Sequence, residues 1–134
     1  MASVVLDAGI LIGFLDAEDV YHRKATACLK RLQSEDAQLL LPVSAYAECL
    51  VAPAAKSAAA LDRVDEALFD LGIRVVDATP GIARRAAVLR AKYPSKLRLP
   101  EALVIATAQV IEADLVATTD TGWPRLPDVK IRVP

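Results

Sequence analysis

Four acidic side chains recur at points along the chain where they could do chemistry together: Asp7 in "VVLDAG", Glu48 in "SAYAECLVA", Glu101 in "LRLPEALVIATA" and Asp120 in "LVATTD". Each is embedded among apolar or small residues, unlike Asp62, Asp65 and Glu66, which share an exposed helical pattern with Arg63. Carboxylates gathered without a counter-charge repel one another and raise one another's pKa, so a cluster of them is stable only around a cation. Hard oxygen donors, in a chain with a single histidine, suit Mg²⁺ or Mn²⁺ rather than Zn²⁺. That histidine, His22 in "DVYHRKA", reads as a surface or helix-start residue, so a Ser-His-Asp mechanism has little to draw on.

Local structure accounts for some of these acids. Glu101 follows Pro100, and a proline at the first helical position with an acid in the first turn is an ordinary helix start, favoured by the helix dipole. Glu48 is harder to explain. With Ser44 as N-cap, a capping-box acid belongs at position 47, which is Ala47, and Ser44, Ala45, Val51 and Ala52 are its neighbours at helical spacing, none of them a cation.

The elements that must position these acids alternate along the chain. "SVVL", "QLLLPV", "IRVVDA", "DLVATT" and "KIRV" are short aliphatic runs bounded by turn residues, and each reads as a buried strand. Between them, Ala25, Leu29 and Leu32 mark one helical face, and Leu61, Val64, Leu68 and Leu71 a second, which Gly72 can terminate. Ile82, Ala86 and Leu89 form a third stripe, ended by Pro94, and "PEALVIATAQVIEA" reads as a buried helix. This alternation predicts an α/β domain with a mostly parallel sheet covered on both faces. In such a sheet, strand ends and the starts of the following helices share one rim, where ligands bind. Asp7, Glu48, Glu101 and Asp120 are all expected there.

Composition narrows the alternatives. With 134 residues and 54% hydrophobic content, the chain can fill one core but not two comfortable ones, so residues 1–134 are read as a single domain. Acids interrupt every apolar stretch before the roughly 18 residues of a membrane span, and "MASVVLDAG" lacks a secretory pattern, so a soluble cytoplasmic protein is expected. Cys28 and Cys49 read as core thiols rather than a disulfide or zinc framework. A net charge of −1 argues against coating nucleic acid through bulk positive charge. A local basic span remains, with Arg84, Arg85, Arg90, Lys92, Lys96 and Arg98 lying directly upstream of Glu101; its plain reading is a solvated face.

"VVLDAGILIGFLD", "LPVSAYAECL", "LPEALVIATA" and "LVATTD" resemble, in order and spacing, the motifs of PIN-domain ribonucleases, and the chain looks like the VapC-type toxins of toxin-antitoxin modules. The resemblance implies a three-layer fold on a five-stranded, mostly parallel sheet. It also implies a metal pocket to which Asp7, Glu48 and Asp120 correspond, with Thr118 matching a hydroxyl residue two positions before the last acid. At position 101 the family usually has aspartate, and this chain departs from it by one methylene. Trp123 stands where an aromatic follows the last acid and reads as packing.

The expected activity is thus a Mg²⁺- or Mn²⁺-dependent endoribonuclease with catalytic residues Asp7, Glu48, Glu101, Asp120 and Thr118, the four acids being the metal ligands. Lys96 and Arg98 are candidate RNA phosphate contacts. The implied partners are an RNA substrate, a small antitoxin protein and a second copy of the chain. Two rivals stand beside this reading. A degenerate member would bind RNA or its partner without cutting. A receiver-like phosphosignalling domain would need adjacent acids after the first strand, where this chain has "DAG".

Overall fold

The computed structural model describes residues 1–134. Five short strands, β1 (Ser3–Leu6), β2 (Gln38–Pro42), β3 (Ile73–Val76), β4 (Leu115–Ala117) and β5 (Ile131–Arg132), form one sheet in the order β3-β2-β1-β4-β5. Every pairing is parallel, with Val5 of β1 opposite Leu40 on one side and Val116 on the other. Consecutive residues Val4, Val5 and Leu6, and likewise Leu39, Leu40 and Leu41, are all buried. Since successive side chains of a strand point to opposite faces, both faces of the sheet are covered. This is the three-layer α/β arrangement that the strand and helix patterns predict.

Six helices supply the cover: α1 (Ala8–Leu15), α2 (His22–Ser34), α3 (Val43–Lys56), α4 (Ala58–Asp70), α5 (Pro80–Lys92) and α6 (Leu99–Val110). The marked stripes are the packed ones. Ala25, Leu29 and Leu32 of α2, Val64 and Leu68 of α4, and Ile82, Ala86 and Leu89 of α5 are buried, while Leu61 and Leu71 are half-buried. Gly72 closes the α4 turn at φ +70°, a conformation that a side chain would strain. No helix is long and apolar enough to cross a membrane.

Several boundaries differ from the expected ones. "AGILIGFL" forms a helix that no stripe announces, because nearly every position in it is apolar. Ser44 is not an N-cap: α3 begins at Val43, with Pro42 in the cap position and no side-chain cap. The alanine-rich stretch divides at Ser57, whose hydroxyl accepts from the Ala60 N–H at 3.0 Å and starts α4. Helix α6 begins one residue early, which leaves Pro100 in second place and Glu101 in third.

The core has two parts. The larger gathers β1, β2 and β4 with α1 to α4; the smaller joins α5 to α6 around Leu97 and Leu126. Leu97 is fully buried and pins the loop entering α6, so that its neighbours Lys96 and Arg98 project outward. Trp123 packs against both parts, which agrees with its reading as a packing residue.

Candidate active site

The strand order places the site. From β1 the chain winds outward through β2 to β3 and then crosses back to β4 and β5, so the direction of winding reverses between β1 and β4. A parallel sheet opens a crevice at that reversal, beyond the carboxyl ends of the two strands. Asp7 is the residue after β1, and Asp120 follows β4 by three residues.

Asp7 is held from two sides. It is the N-cap of α1, where one carboxylate oxygen accepts from the Ala8 N–H at 2.9 Å. Its other oxygen accepts from the Thr118 hydroxyl at 2.7 Å. Thr118 is fully buried, and its Oγ1 in turn accepts from the Asp120 N–H at 3.0 Å. One hydroxyl therefore connects the acids of both strands. Asp120 is turned by a second contact, the Gly122 N–H donating to its Oδ1 at 2.7 Å. Gly9 completes the junction, since a Cβ there would collide with the Thr119 side chain.

Two helices supply the remaining acids. Glu48 lies in the second turn of α3 and Glu101 in the first turn of α6. Their charges reach Asp7 and each other. Burial, opposed by the Thr118 and Ala8 hydrogen bonds, raises the Asp7 carboxyl above its ordinary value, and Glu101 and Asp120 push it further up. Glu48 is raised as well, first by partial burial of its carboxyl and then by Asp7 and Glu101, against the pull of Arg98. The structure thus links all four acids expected at the rim by charge. It does not shelter them equally: Glu48 and Asp120 are exposed, although their sequence neighbours are apolar or small. As the side chains stand, no three of them converge closely enough to hold one ion.

Arg98 engages one of the four acids. Its guanidinium donates to Glu101 Oε1 at 3.0 Å, while Glu101 Oε2 is buried without a hydrogen-bond partner. Arg98, expected to contact phosphate, is thus paired within its own chain, at an i, i+3 spacing visible in "RLPE". Lys96 is exposed and forms no ion pair. Among the other basic residues, Arg85 is bound to Gln109 and Arg90 to the Pro94 carbonyl, so the span is not a uniform cationic face.

The donor set is all hard oxygen, and the buried, unpartnered Glu101 Oε2 lies among mutually repelling acids. That combination fits a divalent cation in type and charge. The histidine and cysteines fit no alternative chemistry. His22 begins α2 and meets the Gly13 carbonyl through Nδ1 at 2.8 Å. Burial, with Glu48 and Asp7 adding to it, pushes the Cys49 thiol up to about 12, far from a reactive thiolate. Beside Glu48 lies a groove of about 520 Å³, bounded by Ile12, Leu15, Cys49, Pro53 and Val64; Asp7, Glu101 and Asp120 do not line it.

A family model described as PIN domain matches residues 4–129. Among solved structures, a toxin-antitoxin complex from Klebsiella pneumoniae is 27% identical, with 94% of each chain covered and a TM-score of 0.71. VapBC-1 from nontypeable Haemophilus influenzae is 13% identical, covering 98% of this chain and 97% of that one at a TM-score of 0.74. VapC20 of Mycobacterium tuberculosis, described as a sarcin-ricin loop cleaving toxin, is 13% identical over 84% and 86% of the two chains, with a TM-score of 0.66. No curated protein sequence matches the chain.

Proposed function

The chain belongs to the PIN-domain family, and from that premise we propose that it is a metal-dependent endoribonuclease, the toxin of a toxin-antitoxin pair. The observation that carries the proposal is that the charges of Glu48, Glu101 and Asp120 all bear on Asp7 or are borne on by it at the β1/β4 crevice, with a buried threonine hydroxyl bonded to the Asp7 carboxylate and to the Asp120 backbone. Those four carboxylates would hold Mg²⁺ or Mn²⁺. When bound, such an ion activates water toward a phosphodiester and stabilises charge on the departing oxygen.

The chain's own residues prepare the site. The Thr118 hydroxyl and the Ala8 N–H fix both oxygens of Asp7 and favour its ionised form against burial. The Gly122 N–H fixes the Asp120 carboxylate. Lys96 and Arg98, exposed on either side of buried Leu97, would contact RNA phosphates.

Toxin-antitoxin complexes among the structural neighbours support a small protein partner. A cationic peptide over the acidic rim is the chemistry that this site would take. A homodimer and a cytoplasmic location complete the proposal. One observation favours the degenerate alternative, a domain that binds without cutting: Glu101, itself the departure from the usual aspartate, is engaged by Arg98.

Cleavage of structured RNA in Mg²⁺ or Mn²⁺ decides between these readings. Asp7→Asn should lower the rate by about a hundredfold or more, since a lost ligand removes more than the 10- to 100-fold typical of its supporting groups. Wild-type protein that binds RNA without cutting it in either metal would establish the degenerate reading.

A further inference from the structure

We propose that Arg98 is a resident counter-cation of the acid cluster, one that holds Glu101 until a divalent ion takes that carboxylate and so must be displaced for the ion to bind. This inference rests on the metal site proposed above and concerns how the chain regulates access to it.

Helix stability does not explain why Arg98 is there. It occupies the N-cap of α6, a place for Ser, Thr, Asp or Asn, and makes no side-chain capping bond. A cation at a helix N-terminus also opposes the helix dipole. What Arg98 does find is negative charge. Its guanidinium pairs with the Glu101 carboxylate at 3.0 Å. The guanidinium therefore neutralises part of the rim where a divalent ion would otherwise be needed.

The pair is asymmetric in a way that suits displacement. The Glu101 side chain is 16% exposed and keeps Oε2 buried, whereas Arg98 is 83% exposed and approaches from solvent. An ion pair with one partner so exposed is weak, so a divalent ion can outcompete it. The additional methylene of glutamate gives Glu101 the reach to serve both partners in turn. Once released, Arg98 stays at the rim with its donors free for a phosphate, which joins its two assignments as successive states of one side chain.

Mn²⁺ affinity of the RNA-free protein tests this without reference to catalysis, read from the decrease of the free Mn²⁺ electron paramagnetic resonance signal. Arg98→Ala should bind Mn²⁺ about two- to fivefold more tightly than wild type, the range expected when an exposed competing pair is removed. Lys96→Ala, which removes an equal charge two residues away but no ion pair, should change affinity by less than half that factor. Unchanged or weaker binding in Arg98→Ala overturns the displacement, and an equal gain in Lys96→Ala reduces it to a general charge effect. Failure of the metal site itself has a different signature: Mn²⁺ would bind neither wild type nor Arg98→Ala.

Discussion

The two sides of the crevice are built differently. On the strand side, Asp7 and Asp120 are fixed by the Ala8 and Gly122 backbone N–H groups and by the buried Thr118 hydroxyl. On the helix side, the Glu48 carboxylate makes no hydrogen bond, and the Glu101 carboxylate is held only by the exposed Arg98. Charge repulsion acts on both sides, but only the strand side has directional bonds to withstand it. On the proposed reading, the rigid acids would set where an ion sits and the adjustable acids would close on it.

Breaking the strand side should have the largest effect. Thr118→Val keeps the shape but removes a donor to Asp7 and an acceptor for the Asp120 N–H. Metal affinity should fall by about 10- to 100-fold, as when the outer partner of a ligand is lost. Stability in chelator should drop by about 1–3 kcal/mol from the unsatisfied buried groups. Calorimetric titration and chemical denaturation measure the two effects, and a variant that keeps both wild-type values would remove the basis for calling this side rigid.

On the helix side the expected effect is smaller and its sign differs. Glu101→Gln should weaken metal binding about tenfold or less while leaving stability in chelator unchanged or improved, because a repelling charge is gone. A helix-start acid would instead lose about 0.3–1 kcal/mol of stability through the dipole and leave metal binding alone. Glu101→Asp restores the usual family residue and should retain cleavage; it also shortens the reach to Arg98, so it tests how much of the site depends on the longer arm.

The parallel sheet covered on both faces could be anticipated because uninterrupted aliphatic strands and amphipathic helices leave different traces, and that alternation alone gave the expectation that Asp7, Glu48, Glu101 and Asp120 share one rim. What escaped notice were features with no period. Helix α1 is apolar on every side, and the α3–α4 break hides in alanines that suit either helix. The Thr118 bond spans 111 positions, so only the family resemblance drew attention to that residue. The Arg98–Glu101 pair was legible in principle from its spacing, but phosphate binding competed for the same cation.

pH acts on both sides in the same sense, and by a smaller energy. The Asp7 and Glu48 carboxyls are raised in the folded chain, so the stability they contribute is fully present below their ordinary values of 3.8 and 4.5 and is lost as pH rises through their folded values. Asp114, exposed and lowered by its bonds to Ser3, works in the opposite sense below 3.8. In chelator, the thermal midpoint should therefore rise as pH falls toward 4.5 and 3.8. Asp7→Asn should flatten much of that rise, and saturating Mg²⁺ should reverse it, since an ion that binds the folded form favours ionised ligands. An identical pH profile in wild type and Asp7→Asn would mean that the buried carboxyl does not carry the effect.

The smallest expected effect belongs to Lys96, which lies outside both sides and pairs with nothing. A lone phosphate contact adds affinity without sequence preference, and releasing its counterion adds about one unit to the salt slope. Lys96→Ala should weaken RNA binding only a few-fold, by about the same factor for unrelated sequences. It should also make log affinity against log salt shallower by about one. The measurement is best made in Ca²⁺, on the expectation that this larger, less demanding ion fills the site without supporting cleavage. Comparison with Arg98→Ala then separates the two cations. Lys96 should act on RNA binding to the same degree with or without metal, whereas Arg98 should matter more once an ion has taken Glu101. If Lys96→Ala leaves both affinity and slope unchanged, the residue belongs to an ordinary solvated face, and the phosphate track must run elsewhere on the rim.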